Sequence, residues 1–235
     1  MTPILDGGTP WGFPAPSPGT GTTQAILSLV SRQLQDLTGK TWDQTTVLIP
    51  YMNLAIGAII NEKPEALPST GNISLVAGAI QKLVAGSFFM IDVVCNMGSD
   101  GNTQGKAVTS IKKEHMDSLY PGWLNHPADS EVTFVIEDDR DPKTFYIFPP
   151  QPDPPTQKLR VIAATTPDLI TAVTDPFPLD DSYQEATLDY IIYRALKEET
   201  TIPNAQTKAD SFFSKFMADL GLKTQAEKKS YSEGE

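Results

Sequence analysis

Asp100, Asn102 and Gln104 alternate along one loop and are followed by Gly105, which imitates the opening of a calcium-binding loop. Such a loop carries oxygen ligands at its first, third and fifth positions and a glycine at its sixth. Its twelfth position must supply a bidentate carboxylate, and here that position is Ile111. The pattern therefore predicts a flexible interaction loop at 98–105 rather than a calcium site.

A second group of acids, Asp138, Asp139 and Asp141, crowds one turn. Paired carboxylates act as general acid and base in glycosidases, where separate elements hold them on opposite sides of a cleft. Neighbouring carboxylates of a single turn splay outward instead. We therefore predict a hairpin turn here and no catalysis.

The two histidines, His115 and His126, stand apart, and no Glu or Cys lies at a spacing that would complete a zinc site. The sequence also contains no phosphate-cradling glycine motif, no nucleophile elbow and no Cys–His signature. We therefore expect no metal, no cofactor and no enzymatic reaction.

The chain has 235 residues, a formal net charge of −11 and 40% hydrophobic residues, enough for a packed core. No Lys or Arg occurs between Arg160 and Arg194, and the acids in that interval are Asp168, Asp175, Asp180, Asp181, Glu185 and Asp189. Tight DNA binding needs clustered cations, so this distribution argues against it. Two interpretations stay open: an ordinary solvated acidic face, or a surface that DNA passes without sticking if the chain forms a ring.

Targeting and membrane signals are missing from the sequence. The longest apolar run, 88–95, is interrupted by Asp92, which excludes a membrane span. Residues 1–20 have neither a basic start nor an apolar middle, so no signal peptide and no export are expected. Cys95 is the single cysteine and is expected to be a small buried hydrophobe.

Two amphipathic stretches between 182 and 220 organise the chain. The first begins with two overlapping capping signals, Asp181 with Gln184 and Ser182 with Glu185. Each stretch carries apolar residues at three- and four-residue spacing, and a break at 202–204 separates them. Gly221 is predicted to end the second helix.

Near the N-terminus, residues 1–20 are rich in proline and glycine and predict an extended arm. Residues 22–37 then predict a helix. Residues 41–63 predict a second helix, with Thr41 and Gln44 as a capping box and Pro64 as its end. Pro50 requires either a kink near Thr46 or a helix that starts only at Pro50.

The middle of the chain has the patterns of strands. They are predicted at 73–83, 87–96, 106–111, 131–136, 144–148 and 159–164, with one short helix at 114–119. The predicted fold class is α+β, a helical bundle of N- and C-terminal helices with an inserted antiparallel β region, either a small sandwich or a barrel. The predicted domains are an arm (1–20), a helical platform (21–66 and 180–222), a β-rich domain (67–179) and a tail (223–235).

Four stretches resemble the adaptor proteins that link portal to tail in short-tailed bacteriophages. They are Leu188–Leu196 with the helix ending at 218–223, Gly39-x-x-Trp42 leading to 51–55 and 64–66, Val94–Gly101, and 138–150. Their order and spacing carry the resemblance, which covers about 27–223. Pro50 departs from the pattern, and neither the 1–20 arm nor the 227–235 tail has a counterpart in it.

The resemblance implies a virion protein of the neck between head and tail, assembled in the host cytoplasm. It implies a ring of twelve copies below the portal, with the tail tube or nozzle protein on the other side and genomic DNA passing through unbound. The arm or the tail is expected to reach a neighbouring copy or the portal, since neither is apolar enough to fold alone. Trp42, Trp123 and the tyrosines are expected either in the core or at subunit contacts. The candidate contact residues are Tyr183, Tyr190, Tyr193, Phe212, Phe216, Trp42, Trp123, Asp100, Asp138 and Asp139.

Two other functions are alternatives to the adaptor role. One is a carbohydrate- or protein-binding β module of a tail structure that uses Trp123 and the 98–105 loop. The other is a wall-degrading hydrolase, for which the sequence offers neither a carboxylate pair nor a metal site.

Overall fold

The structure, a computed structural model, describes residues 22–138 and 140–232, and for 222–232 it describes the helical backbone alone. The chain divides into a β unit, Pro68–Thr166, and a helical unit, which comprises 22–67 and 167–232 of the described residues. The predicted arm at 1–20 and Asp139 lie outside the described residues. Among those described, no helix has both the length and the apolarity needed to cross a bilayer.

The first helix, α1, spans Thr23–Gln33, and Thr22 caps it by accepting a hydrogen bond from the amide of Ala25 at 3.2 Å. The predicted helix at 22–37 is therefore confirmed, but it ends four residues early. Gln35 has φ 58°, a left-handed conformation that stops the helix.

Pro50 lies in the first turn of α2, which spans Ile49–Glu62. A π-helical turn, Gln44–Leu48, leads into it. The proline is accommodated because the first amides of a helix have no partner within the helix, so its missing N–H loses nothing. The alternative of a helix that begins near Pro50 is thus the better description.

The capping box predicted from Thr41 and Gln44 is wrong, because Asp43 is the capping residue. Its Oδ1 accepts hydrogen bonds from the amides of Thr45 and Thr46 at 3.0 and 2.8 Å. An aspartate carboxylate is a stronger acceptor than a threonine hydroxyl, which favours this register.

The C-terminal helices are α4, Gln184–Glu198, and α5, Ala205–Ser232. Asp180 caps a 3₁₀ turn, Asp181–Tyr183, which runs into α4. The prediction that Gly221 ends the second helix is wrong, because α5 continues through it. A glycine inside a helix costs only about 1 kcal/mol relative to alanine, and the residues that follow it are mostly good helix formers.

The central helix of the helical unit is α4, which contacts α1, α2 and α5. Its buried side chains include Leu188, Ile191, Ile192 and Ala195. The segment 167–179 also belongs to this unit. Asn53 of α2 holds it by two hydrogen bonds to the backbone of Ile170, at 2.9 and 3.0 Å.

The β unit contains eight described strands: β1 Pro68–Ser74, β2 Gly78–Lys82, β3 Ser87–Met97, β4 Gln104–Ala107, β5 Thr109–Lys112, β6 Phe134–Glu137, β7 Thr144–Gln151 and β8 Lys158–Thr165. One sheet has the order β1-β8-β3-β4 and the other β2-β7-β6-β5. Both sheets are open, so within the described part of the chain the barrel alternative is wrong.

The expectation of a purely antiparallel region needs one correction. β5 and β6 pair in parallel, with Thr109 opposite Phe134. Parallel neighbours need a crossover, which α3, Lys113–Leu119, and a 3₁₀ turn, Trp123–Asn125, supply. The other strand pairs are antiparallel.

Two apolar layers organise the β unit. The first lies between the sheets and contains residues of both, among them Ile73, Val93, Leu159, Val161, Val135 and Ile147. The second lies on the other face of the second sheet and contains Met116, Trp123, Ile136 and Phe148. Cys95 is 2% exposed, which confirms its expected burial.

Candidate functional site

The calcium-like loop is closed by its own hydrogen bonds. The carboxylate of Asp100 accepts from the amides of Asn102 and Thr103 at 3.0 and 3.2 Å, and from the Thr103 hydroxyl at 3.2 Å. These donors hold the pKa of Asp100 below its ordinary value. The carboxylate that the sequence offered as a ligand therefore shapes the loop.

The tip of this loop is fastened to two strands. Gly101 is buried, and its carbonyl accepts a hydrogen bond from the Asn72 side chain of β1 at 2.7 Å. A Cβ on Gly101 would lie 3.2 Å from Cδ of Lys158 on β8. The loop predicted to be flexible is therefore hydrogen-bonded internally and packed against the first sheet.

The acidic turn connects the antiparallel strands β6 and β7, so the predicted hairpin is confirmed. Asp138 accepts two side-chain hydrogen bonds from Arg140, both at 2.8 Å. This pairing lowers the pKa of Asp138 to about 2. Asp138 is therefore ionised under ordinary conditions and engaged by a cation.

The two histidines have separate surroundings. His126 lies against the Phe148 ring, with 4.8 Å between the ring centroids, and His115 is exposed. In the part of the chain that the structure describes, no three His, Cys, Asp or Glu side chains are grouped as a metal site would require.

Both flagged tryptophans lie inside their own units. Trp123 is 3% exposed; its indole N–H donates to Asp117 at 2.8 Å and its ring meets Tyr146 edge-on. Trp42 is 8% exposed. A sugar stacks on an exposed ring face, and the Trp123 ring is buried. Trp123 therefore cannot provide the stacking surface that the carbohydrate-binding alternative requires.

The C-terminal aromatic candidates form a row between α4 and α5. Tyr190 meets Phe216 at 5.1 Å between ring centroids, and Tyr193 meets Phe213 at 4.9 Å. Phe216 and Tyr183 are buried, whereas Tyr190, Tyr193 and Phe212 are half-buried. The burial of Phe216 and Tyr183 is thus accounted for within one copy, and a role in subunit contacts stays a prediction for the half-buried rings.

A buried carboxylate, Asp189, was not singled out from the sequence. It is 3% exposed in α4, and its pKa is raised to about 6, first by burial, then by Glu185 and Asp219, against the opposing effect of Lys215. Its position three residues after Ala186 and four before Tyr193 was the available signal, because that spacing lies on the apolar side of the helix.

A polar cluster also ties α2 to α4. The Tyr51 hydroxyl donates to Glu198 at 2.6 Å, and Arg194 donates to the other oxygen of the same carboxylate at 3.2 Å. Burial and the adjacent Glu198 raise the pKa of Tyr51 to about 12. The phenol is therefore a fixed donor, and the cluster supports the packing of the helices.

Exposed apolar side chains provide the remaining candidate contacts. In the helical unit they include Phe213 and Met217 on α5, at 39% and 42% exposure, and Leu169 at 73%. In the β unit, Leu119, Tyr120 and Leu124 are at least half exposed within six residues of chain. We name these three residues the apolar turn.

Comparison with known proteins identifies the whole described chain. No curated protein matches the sequence. A family model described as SU10 adaptor protein matches residues 22–234, which include both units. The resemblance to phage adaptors inferred from the sequence is therefore confirmed, and the chain belongs to the SU10 adaptor protein family, a family of phage head-to-tail adaptors.

Proposed function

We propose that this protein is a structural head-to-tail adaptor whose copies form a twelve-membered ring between the portal and the tail tube or nozzle protein. The observation that carries the proposal is the family match over 22–234, which includes the helical and the β unit alike. The ring stands in the neck of the virion and lines the channel through which DNA leaves.

The ring needs contacts between copies, and the helical unit offers apolar surface for them. A ring is built from heterologous contacts, in which two different patches of the same chain meet. Phe213 and Met217 of α5 are exposed, and the Phe213 ring contacts the half-buried Tyr193. We assign the helical bundle of 21–66 and 180–222 to the platform that meets the portal, and the β-rich region to the tail side.

The charge of the chain suits a channel that DNA must traverse freely. With a net charge of −11 and no cation between Arg160 and Arg194, the chain offers phosphate groups little to bind. Carboxylates repel phosphates over about 8 to 10 Å at physiological salt. DNA therefore slides past the ring without being held.

The proposed role requires no reaction, and three described residues that the alternative functions would use are engaged in structure. Asp100 closes a loop, Asp138 binds Arg140, and Trp123 is buried. A hydrolase would need a pair of carboxylates facing a shared cleft.

The experiment is reconstitution of the purified full-length chain with the portal protein of the same phage. Native mass measurement and electron microscopy of the complex should show adaptor rings bound to portals, with twelve adaptors per portal. Phage lacking the adaptor should produce DNA-filled heads without tails. Adaptor that stays monomeric with portal, together with normally tailed particles from such a phage, would contradict the proposal.

A matched pair of variants locates the contact. Met217→Gln changes an exposed side chain of α5, and Leu54→Gln changes an equally large exposed side chain of α2, 49% exposed. Met217→Gln should weaken ring assembly, while Leu54→Gln should leave it intact. Equal behaviour of the two variants would remove the α4–α5 surface from the proposed contact.

A further inference from the structure

The apolar turn is the densest group of exposed large apolar side chains in the described part of the β unit. Leu119, Tyr120 and Leu124 are 66%, 51% and 50% exposed. Other exposed apolar residues of this unit, such as Val76, Ile80 and Phe89, lie on separate strands or loops. Neighbouring exposed apolar side chains of this kind mark binding surfaces.

Backbone hydrogen bonds and a buried tryptophan fix the conformation of the apolar turn. Backbone amides of Tyr120, Trp123 and Asn125 donate to carbonyls three or four residues earlier, at 2.9 to 3.0 Å. Trp123 anchors the turn through its buried ring and its hydrogen bond to Asp117. A surface fixed in advance loses little conformational entropy when it binds a ligand.

Aromatic rings extend the surface. Tyr120 stacks on Phe148 with 5.6 Å between centroids and 24° between planes, and Phe148 also contacts His126 and Phe134. One face of Tyr120 is thereby covered, while half of the residue remains open. Flat exposed rings of this kind bind proline-rich segments in the polyproline II conformation.

The charged side chain that supports the apolar turn, Asp117, has partners of its own. Asp117 binds Lys113 at 2.6 Å as well as Trp123, and Glu137 accepts from Ser110 at 2.7 Å. Lys113 is engaged by Asp117, so this lysine offers no free charge to a phosphate or a lipid headgroup. The three exposed apolar side chains therefore favour an uncharged, apolar ligand.

The chain itself contains a segment with this chemistry. From Gly7 to Ser31 it has no charged residue, and within that interval lie Pro10, Pro14, Pro16 and Pro18, with Trp11 and Phe13 among them. Prolines restrict the backbone to extended conformations, so such a segment binds at low entropic cost. Both partners are uncharged and apolar, and they complement each other.

We propose that the proline-rich segment 10–18 of one copy binds the apolar turn of a neighbouring copy. This inference rests on the proposed ring, because it assigns one of the contacts between its copies. The exchange of arms links each copy to the next through a surface separate from the α4–α5 contact.

Disulfide trapping between two differently marked full-length chains tests the exchange. One chain carries Ser17→Cys in the arm, and the other carries Ser118→Cys beside the apolar turn, where the serine is exposed. The native Cys95 is 2% exposed and stays in place. Mixed, assembled on portal and oxidised, the two chains should form a disulfide-linked heterodimer.

The controls decide between specific binding and chance collision. Ser130→Cys, at another exposed serine of the β unit, should give little heterodimer with the Ser17→Cys chain. Leu119→Ser with Leu124→Ser on the Ser118→Cys chain should lower the yield at least about tenfold, equivalent to a loss of about 1.4 kcal/mol. Val76→Ser with Ile80→Ser, both 57% exposed in the native chain, should leave it unchanged.

Several results would overturn the inference. They are a yield no greater than that of the Ser130→Cys control, a yield unaffected by the double serine variant, and a link that forms only when one chain carries both cysteines. The variant with Leu119→Ser and Leu124→Ser could instead lose affinity for a tail protein or for lipid vesicles while its yield of disulfide-linked heterodimer stays unchanged. That result would assign the apolar turn to the other partner. Ring assembly is measured by mass in the same samples. Rings that form without the disulfide-linked heterodimer would refute the arm exchange but not the adaptor ring. If no rings form, the proposed adaptor function is refuted as well.

Discussion

Asn96 and Val132 exchange two hydrogen bonds, as neighbouring strands do. The Asn96 side-chain amide donates to the carbonyl of Val132 at 2.7 Å, and its Oδ1 accepts from the amide of Val132 at 2.9 Å. Gln81 binds both backbone groups of Val76 in the same way, each at 2.8 Å. Side-chain amides thus satisfy backbone groups at places where the sheet ladders stop.

Replacement of Asn96 should destabilise the β unit strongly. Asn96→Ala leaves the amide and carbonyl of Val132 buried without partners, and each unsatisfied group costs about 1–3 kcal/mol. We expect the free energy of unfolding in urea to fall by about 3 kcal/mol. Asn125→Ala, at an exposed position, is the control and should change it by less than about 0.5 kcal/mol. Equal effects of the two variants would contradict this assignment.

Asp189 should make stability fall as the pH rises. Its folded pKa is about 6 against an ordinary value of 3.8, so the folded chain binds this proton more tightly than the unfolded chain does. The contribution of the Asp189 carboxyl to the free energy of unfolding is fully present below pH 3.8 and is lost as the pH rises through about 6. Asp189→Asn, a neutral mimic of the protonated acid, should therefore stabilise the protein at pH 7 by as much as about 3 kcal/mol.

Urea unfolding of the wild type and Asp189→Asn at pH 4 and pH 7 checks this prediction. The two proteins should differ at pH 7 and converge at pH 4. Asp210→Asn, which removes an exposed carboxylate of α5, should show no such pH dependence. A variant that is less stable than the wild type at pH 7 would mean that the charged form of Asp189 is stabilised in the fold.

Two glycines should respond to alanine in opposite directions. Gly101 has φ +77° and packs on Lys158, so Gly101→Ala should cost about 1–2 kcal/mol through left-handed strain alone. Gly221 lies within α5 with nothing within 4 Å of its missing Cβ, so Gly221→Ala should stabilise by about 0.5–1 kcal/mol. Thermal unfolding followed by circular dichroism measures both shifts, and a stabilising Gly101→Ala would show that the loop is not fixed as described.

The elements of this fold could be predicted wherever a local pattern determined them. The helix from Thr22 follows from helical periodicity, the strand at 87–96 from its β-branched and aromatic residues, and the acidic hairpin from its turn residues, and all three are found. The parallel pairing of β5 with β6 could not be predicted, because it depends on which strands meet across the α3 crossover. Gly221 misled the prediction because glycine is permitted inside a helix as well as after one.

The sequence identified large residues near the candidate contact surface, but it did not show which of their side chains are exposed. The sequence marked Trp123 as a large residue on a turn, yet only tertiary packing decides that its ring turns inward while Leu119, Tyr120 and Leu124 remain outside. The burial of Asp189 was not predicted, because an acid beside an apolar stripe usually points to solvent even where its helical spacing places it on the apolar side.

Alanine substitutions at Phe216 and Phe213 should distinguish effects on the stability of one copy from effects on the association of copies. Phe216 is 2% exposed against Tyr190, so Phe216→Ala should lower the free energy of unfolding by about 3–5 kcal/mol by leaving a cavity between α4 and α5. Phe213 is 39% exposed, and Phe213→Ala should cost less than about 1.5 kcal/mol because much of its surface is in water already. In a ring whose copies meet along this surface, Phe213→Ala should nevertheless weaken assembly on portal, which native mass measurement reports. If Phe213→Ala assembled as well as the wild type while Phe216→Ala lost its stability as expected, the aromatic row would serve the fold of one copy and not the contact between copies.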